Sequence, residues 1–384
     1  MFMKKILFLL LTLLALFLCA CGAPAARELP EPAAEPTPAP TPVPTPEPTP
    51  MPTSWVITDE SAAEILALGD IPTLETVDAT ASREYDAIMA LQERLPDCDV
   101  RWVYKLGGVC YPGDSTEITV NTLHGLEGAL RYLPKLTKVD MLACEVTTDD
   151  IDRYMALRPD VDYLWWVKVG RWVVRSDIQV FSTMRTTDNH YYTNEELYPI
   201  LHYCTKMRAL DLGHNALTDL TDIGNMKDLQ VLIIADNEGL TDLSPLKNLD
   251  KLYYLEMFLC INITDFSGLE GMVSMEDMNC RYCRYLTDPS FLANMPHLRM
   301  LYCANTGIGL GEVAPYRIEG CRYECASESY ESVYHGWRDT DRNIAIRHWF
   351  HHFEDIEEFA SWDNIILKPE ELREGRDGTV KFSY

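Results

Sequence analysis

The chain has 384 residues, 47% of them hydrophobic, and a formal net charge of -26 at pH 7. That apolar content is enough to build a sizeable core, so the chain as a whole is not a disordered polymer. So acidic a balance argues against nucleic-acid binding through phosphate neutralisation and favours cationic partners.

The amino terminus reads "MFMKKILFLLLTLLALFLCACG". Lys4 and Lys5 precede an apolar run over residues 6–18 that is too short to span a bilayer comfortably, so residues 1–20 are predicted to be a secretory signal peptide. Leu18-Cys19-Ala20-Cys21 resembles the bacterial lipobox. The resemblance implies Cys21 as the lipidated first residue of the mature chain, which would anchor the protein to the outer face of the cell membrane. Residues 21–53 then form a spacer with proline at nearly every second position from Pro36 to Pro52. Proline fixes φ and has no N–H, so this segment is expected to run as an extended polyproline rod with a reach on the order of 100 Å.

Residues 54–206 are predicted to form an amino-terminal cap and irregular, hairpin-bearing repeats. "IPTLETVDAT" places Leu74, Val77 and Ala79 at strand-like spacing. "LPDCDVRWVYKLGGVCYPGD" from Leu95 aligns with "RPDVDYLWWVKVGRWVVRSD" from Arg158 at an offset of 63, with Trp102 matching Trp165 and Gly107 matching Gly170. Each copy follows an amphipathic helical stretch, "SREYDAIMALQERL" or "TDDIDRYMAL", and alternates on either side of a central glycine, as a hairpin does.

Residues 207–310 repeat more regularly. "MRALDLGHNALTDL", "LQVLIIADNEGLTDL", "LYYLEMFLCINITDF", "MEDMNCRYCRYLTDP" and "LRMLYCANTGI" stack on one another, and Thr218, Thr241, Thr264 and Thr287 are each 23 residues apart. The pattern resembles the leucine-rich repeat in the short form of internalin-like bacterial surface proteins. It implies an α/β solenoid: a curved parallel sheet with a helical or irregular convex side, flanked by helical caps. No single coil buries its own apolar residues, so neighbouring coils must stack. "LPKLTKVDMLACEVTTDD" puts Leu136, Val139, Met141 and Cys144 in the same register.

Cys280-x-x-Cys283 has the spacing of a zinc or redox pair. The repeat explains both cysteines without a metal. Cys283 takes the inward turn position of Asn215, Asn237 and Cys260, and Cys280 takes a buried strand position beside Leu212, Ile234, Met257 and Cys303. A disulfide between neighbouring coils, Cys260 with Cys283 or Cys280 with Cys303, is an open alternative that ladder geometry disfavours.

Residues 311–384 lose the repeat and are predicted to be a carboxy-terminal cap. "EGCRYECAS" reads as a last edge strand, and "DRNIAIRHWFHHFEDIEEFASW" has the apolar spacing of a helix closing the solenoid. Leader, proline spacer, hairpin-bearing turns, leucine-rich turns and the "HGWRDTDRN" tail together resemble leucine-rich repeat surface lipoproteins of Gram-positive gut bacteria.

No G-x-S-x-G, H-E-x-x-H, P-loop or dinucleotide motif occurs. His348, His351 and His352 are spaced as metal ligands could be, but they read more simply as the polar side of an amphipathic helix. Cys321 or Cys325 with His335 gives a rival hydrolase reading in which the repeats dock a substrate, and a purely structural envelope role is a third. The preferred expectation is recognition of a protein or glycan, with no cofactor, metal or catalytic residue. The candidate surface is the concave face of the sheet, through Tyr253, Tyr254, Glu256, Phe258, Asn279, Arg281, Tyr282, Arg299 and Tyr302. Aromatic and arginine side chains of this kind dominate binding interfaces.

Overall fold

The computed structural model describes residues 51–183, 190–325, 336–338 and 340–351. Cys21, the proline run, His335 and the helical pattern beyond His351 lie outside the described residues.

Three short strands open the fold. β1 (Ser54–Val56), β2 (Thr76–Asp78) and β3 (Asp99–Arg101) pair in parallel. Helices α1 (Ala62–Ala67) and α2 (Tyr85–Arg94) connect them. Ile57, Ile65, Val77, Ile88, Leu91 and Val100 form a small separate core there. An antiparallel hairpin of β4 (Val103–Leu106) and β5 (Val109–Pro112) follows, turning at Gly107 and Gly108, both with positive φ. Next come β6 (Glu117–Thr119), α3 (Leu126–Tyr132), β7 (Lys138–Asp140), α4 (Thr148–Leu157) and β8 (Asp162–Leu164), whose strands form a second three-stranded parallel sheet. A second hairpin, β9 (Trp166–Val169) with β10 (Trp172–Arg175), leads into the regular region. Both hairpins fall where the alternation predicts, and α2 and α4 likewise begin 63 residues apart.

The regular region is one seven-stranded parallel sheet. It contains β11 (Val180–Ser182), β12 (Ala209–Asp211), β13 (Val231–Ile233), β14 (Tyr254–Glu256), β15 (Asp277–Asn279), β16 (Met300–Tyr302) and β17 (Arg322–Glu324). Helix α5 (Asn194–Tyr203) lies between the first two of these strands, and the short α6 (Leu310–Val313) precedes the last. Each strand is in register with the next, so Leu210, Leu232, Leu255, Met278 and Leu301 stack as one inward column, all fully buried. This is the leucine-rich solenoid that the 23-residue register predicts.

Two details explain the repeated residues. After each of the five strands β12 to β16 one residue adopts the left-handed conformation: His214, Asp236, Leu259, Tyr282 and Asn305, with φ between 56° and 64°. The conformation costs a non-glycine residue about 1 kcal/mol or more. It is held because the N–H of each of the first four then donates to the next coil, as His214 N does to Ala235 O (2.8 Å) and Leu259 N to Arg281 O (3.0 Å). On the convex side, the aspartate of each Thr-Asp pair accepts the N–H two residues on. Asp265 accepts from Ser267 (2.8 Å) and Asp288 from Ser290 (2.9 Å), starting the 3-10 turns Ser267–Gly271 and Ser290–Asn294. Gly268 and Gly271 sit so close to the carbonyl oxygens of Leu243 and Lys247 that a Cβ would collide with backbone.

The last described element is α7 (Asp341–His351). It forms where the apolar spacing predicts a helix, but it does not close the end of the solenoid. It lies across the concave face, touching β15 near its start and reaching β11.

Candidate functional site

The turn position after each left-handed residue points inward. Asn215 Nδ2 donates to Leu212 O (3.1 Å), and Asn237 Nδ2 to Leu212 O (2.9 Å) and Ile234 O (3.0 Å), while Asn237 Oδ1 accepts from Leu217 N. Cysteine does part of the same work two coils later. The Cys260 thiol donates to Ile234 O (3.1 Å) and that of Cys283 to Met257 O (3.2 Å), whereas Cys280 donates the other way, to Tyr302 O (3.3 Å). All are free thiols. Burial pushes Cys260 up to about 12 and raises Cys280 and Cys283 as well. Thiols held protonated and aimed at different carbonyls are neither nucleophiles nor converging ligands. Among the described residues, no three histidine, cysteine or acidic side chains converge as a metal site would need. His348 and His351 lie on the partly exposed side of α7.

The concave face departs from the sequence expectation. Tyr254, Glu256, Asn279, Arg281 and Tyr302, expected to face solvent, are buried. The rings and acids are instead covered by residues 336–338 and α7. Tyr253, Phe258, Tyr282 and Arg299 remain partly or largely exposed along the rim.

The contacts centre on Glu256, which is 1% exposed. Its Oε2 accepts from Trp337 Nε1 (3.1 Å) and from the Tyr254 hydroxyl (3.2 Å), and its Oε1 from Arg338 (2.9 Å). Arg347 stands 4.0 Å from the same carboxylate. The Trp337 ring sits 5.4 Å from that of Tyr254 and 5.2 Å from that of Tyr302. Asn343 Nδ2 donates to the Tyr254 hydroxyl (2.6 Å). One coil on, Arg342 reaches Asp277 (3.2 Å) and Glu276 (2.7 Å), and its guanidinium lies 5.2 Å from the Tyr253 ring. Burial pushes the Asp211 carboxyl up to about 6, with the Gly213 N–H and the Arg347 charge opposing it. Asp277 is raised by burial in the same way, with Arg342 opposing.

At the rim, Arg281 packs its guanidinium 5.3 Å from the Tyr282 ring and 5.9 Å from that of Phe258, and these two rings meet edge to face at 5.6 Å. Its Nε and Nη2 have no hydrogen-bond partner. Arg299 pairs with Glu276 at 3.6 Å.

Sequence reasoning missed Asp277 as a member of this face and Trp337, Arg338, Arg342, Asn343 and Arg347 as its covering. A signal was present. Arg342, Ile346 and Trp349 share one side of a helix, and so do Asn343, Arg347 and Phe350, so the basic residues lie among the apolar ones.

No protein-family model matches the sequence, and no curated protein matches it. Solved structures do. An internalin (inlF) of Listeria monocytogenes is 16% identical, over 69% of this chain and 72% of its own, with a TM-score of 0.31. An internalin C2 of the same species is 17% identical, over 56% and 78%, with a TM-score of 0.28. A leucine-rich repeat protein of Leptospira interrogans is 13% identical, over 68% and 74%, with a TM-score of 0.29.

Proposed function

We propose that this chain is a surface recognition protein: a leucine-rich solenoid, lipid-anchored at Cys21 and held off the membrane by the proline spacer, that binds a partner through its concave face and performs no substrate chemistry. The observation behind this reading is the contrast along the sheet. The inward residues repeat from coil to coil, whereas the concave ones do not, and they are rich in tyrosine, arginine and acids. Packing between coils requires repetition inside and leaves the concave side chains free to vary, so a varied aromatic and charged set there has the composition of a binding interface. The rim residues Tyr253, Phe258, Tyr282 and Arg299 are the part of the face within immediate reach.

The test is capture from host and bacterial extracts by residues 54–384, with the double variant Tyr253→Ala/Tyr282→Ala in parallel. The variant is expected to lose captured partner about tenfold or more while its thermal unfolding stays nearly unchanged. Equal capture by both chains, or loss of folding in the variant, would remove the concave face as the recognition surface. For the anchor, Cys21→Ser is expected to move the protein from the membrane fraction into the medium, and its retention in the membrane would refute the lipid attachment.

A further inference from the structure

We propose that Cys303 and Cys325 are a redox-active pair, which a small disulfide oxidises to a bridge tying the last strand of the seven-stranded sheet to its neighbour.

The register brings the two sulfurs together. Tyr302 of β16 pairs with Glu324 of β17, and Cys303 N donates to Glu324 O (2.9 Å), so the residues that follow, Cys303 and Cys325, stand on the next rung. Cys303 is fully buried in the core, and Cys325 packs half-buried against it. The Cys303 thiol donates to the Cys325 sulfur. Neighbouring strands lie about 4.8 Å apart, within the roughly 4.4–6.8 Å that a disulfide spans between Cα atoms. Cys280 on β15 stands on the same rung, but β15 and β16 are each held by a strand on both sides, and the Cys280 thiol is engaged by Tyr302 O (3.3 Å). Among the described residues, β17 has a strand partner on one side alone, so it is free to take up the closer approach that a bridge needs.

The two thiols also differ as the chemistry requires. The hydrogen bond from Cys303 and the charge of Arg317 hold the Cys325 thiol below its ordinary range, against burial and Glu324. The same bond, together with burial, raises Cys303. Cys325, partly exposed and near a cation, is therefore the nucleophile. Its thiolate attacks one sulfur of the small disulfide, breaks that S–S bond and releases a small thiolate, which leaves a mixed disulfide at Cys325. The Cys303 sulfur then attacks the Cys325 sulfur, and its proton goes to the second small thiol as that leaves. One thiolate and one thiol of the protein lose two electrons in all, and the small disulfide gains them as one thiolate and one thiol. An exported chain, as proposed above, meets such oxidants outside the cytosol, while the pairing itself does not depend on export. Residues 336–338 and α7 follow β17 in the chain, so the bridge fixes the strand from which the cover of the concave face departs.

The test incubates the folded mature chain with oxidised glutathione at neutral pH, traps the remaining thiols with iodoacetamide and maps the cross-linked peptides by mass spectrometry. Cys303–Cys325 is expected as the first disulfide to form within the chain, fully reversed by dithiothreitol. Cys303→Ser should stop the reaction at the Cys325 mixed disulfide, and Cys280→Ser should leave the bridge unchanged. Before oxidation, iodoacetamide should alkylate Cys325 at least about tenfold faster than Cys321, which is also half-buried but whose thiol burial raises.

No bridge in excess oxidant, a first bridge at Cys280–Cys303 or Cys321–Cys325, or equal alkylation of Cys321 and Cys325 would each overturn the proposal. If Cys303→Ser does not fold, the wild-type peptide map and the alkylation ratio decide between these outcomes on their own.

Discussion

The two faces of the seven-stranded sheet are both buried, by opposite means. On the inner face Leu210, Leu232, Leu255, Met278 and Leu301 are covered by the neighbouring coils, and each sees a copy of its own surroundings one strand away. On the concave face Asp211, Glu256, Asp277 and Tyr302 are covered by residues 336–338 and α7, through ion pairs, hydrogen bonds, an indole set edge-on to Tyr302, and buried Ile346, Trp349 and Phe350. Local burial is periodic and uses hydrocarbon. Distant burial is aperiodic and adds buried charge to hydrocarbon. The first makes the solenoid, and the second fixes which part of the chain covers its concave face.

The largest effect should come from the inner face. Leu255→Ala removes a fully buried side chain from the middle of the stack and is expected to cost about 2–5 kcal/mol, read as a lowered urea midpoint for the whole solenoid. If only the strands next to β14 loosened in hydrogen exchange, the coils would not unfold as one unit and the contrast between the faces would weaken.

Next in size is a pH effect confined to the concave face. Burial raises the Asp211 pKa in the folded chain to about 6, above its ordinary value, so the folded state holds the proton more tightly than the unfolded one. Its contribution to stability is complete below about pH 4 and is lost as the pH rises through 6. Asp211→Asn is expected to remove on the order of 2 kcal/mol of pH dependence between pH 4 and 7.5, measured as the difference between wild-type and variant denaturation curves. Parallel curves across that range would mean that Arg347 and the Gly213 N–H fully offset the burial.

The smallest effect separates the two hydrogen-bonding side chains of the inner turn. Cys283→Ala deletes the thiol bond to Met257 O and is expected to cost about 1 kcal/mol, whereas Cys283→Asn, which can donate as Asn237 does, should restore it. Equal stability of both variants would show that the position needs only a small inward side chain.

The inner face could be read from the sequence because each coil restates the rule: Thr218, Thr241, Thr264 and Thr287 mark its period, and the Asn or Cys before each pair marks its turn. The hairpins were readable for the same reason, since the second copy confirms the first. The concave site was only half readable. Periodicity found its side chains and found the α7 helix, yet no local pattern joins Glu256 to Trp337 or Asp277 to Arg342. Charged residues on a helix ordinarily mean solvent, so nothing local marks Arg342 and Arg347 as buried before the acids they face are placed in space.

The hairpin duplication has an architectural consequence. The unit made of α2, β3, the first hairpin and β6 recurs as α4, β8, the second hairpin and β11, and each copy ends in a strand that a leucine-rich coil accepts as its neighbour. Input and output edges of the unit are therefore equivalent. Chains of this design can grow or shrink by whole 63-residue modules, changing the length of the hairpin-bearing region without redrawing the seven-stranded sheet.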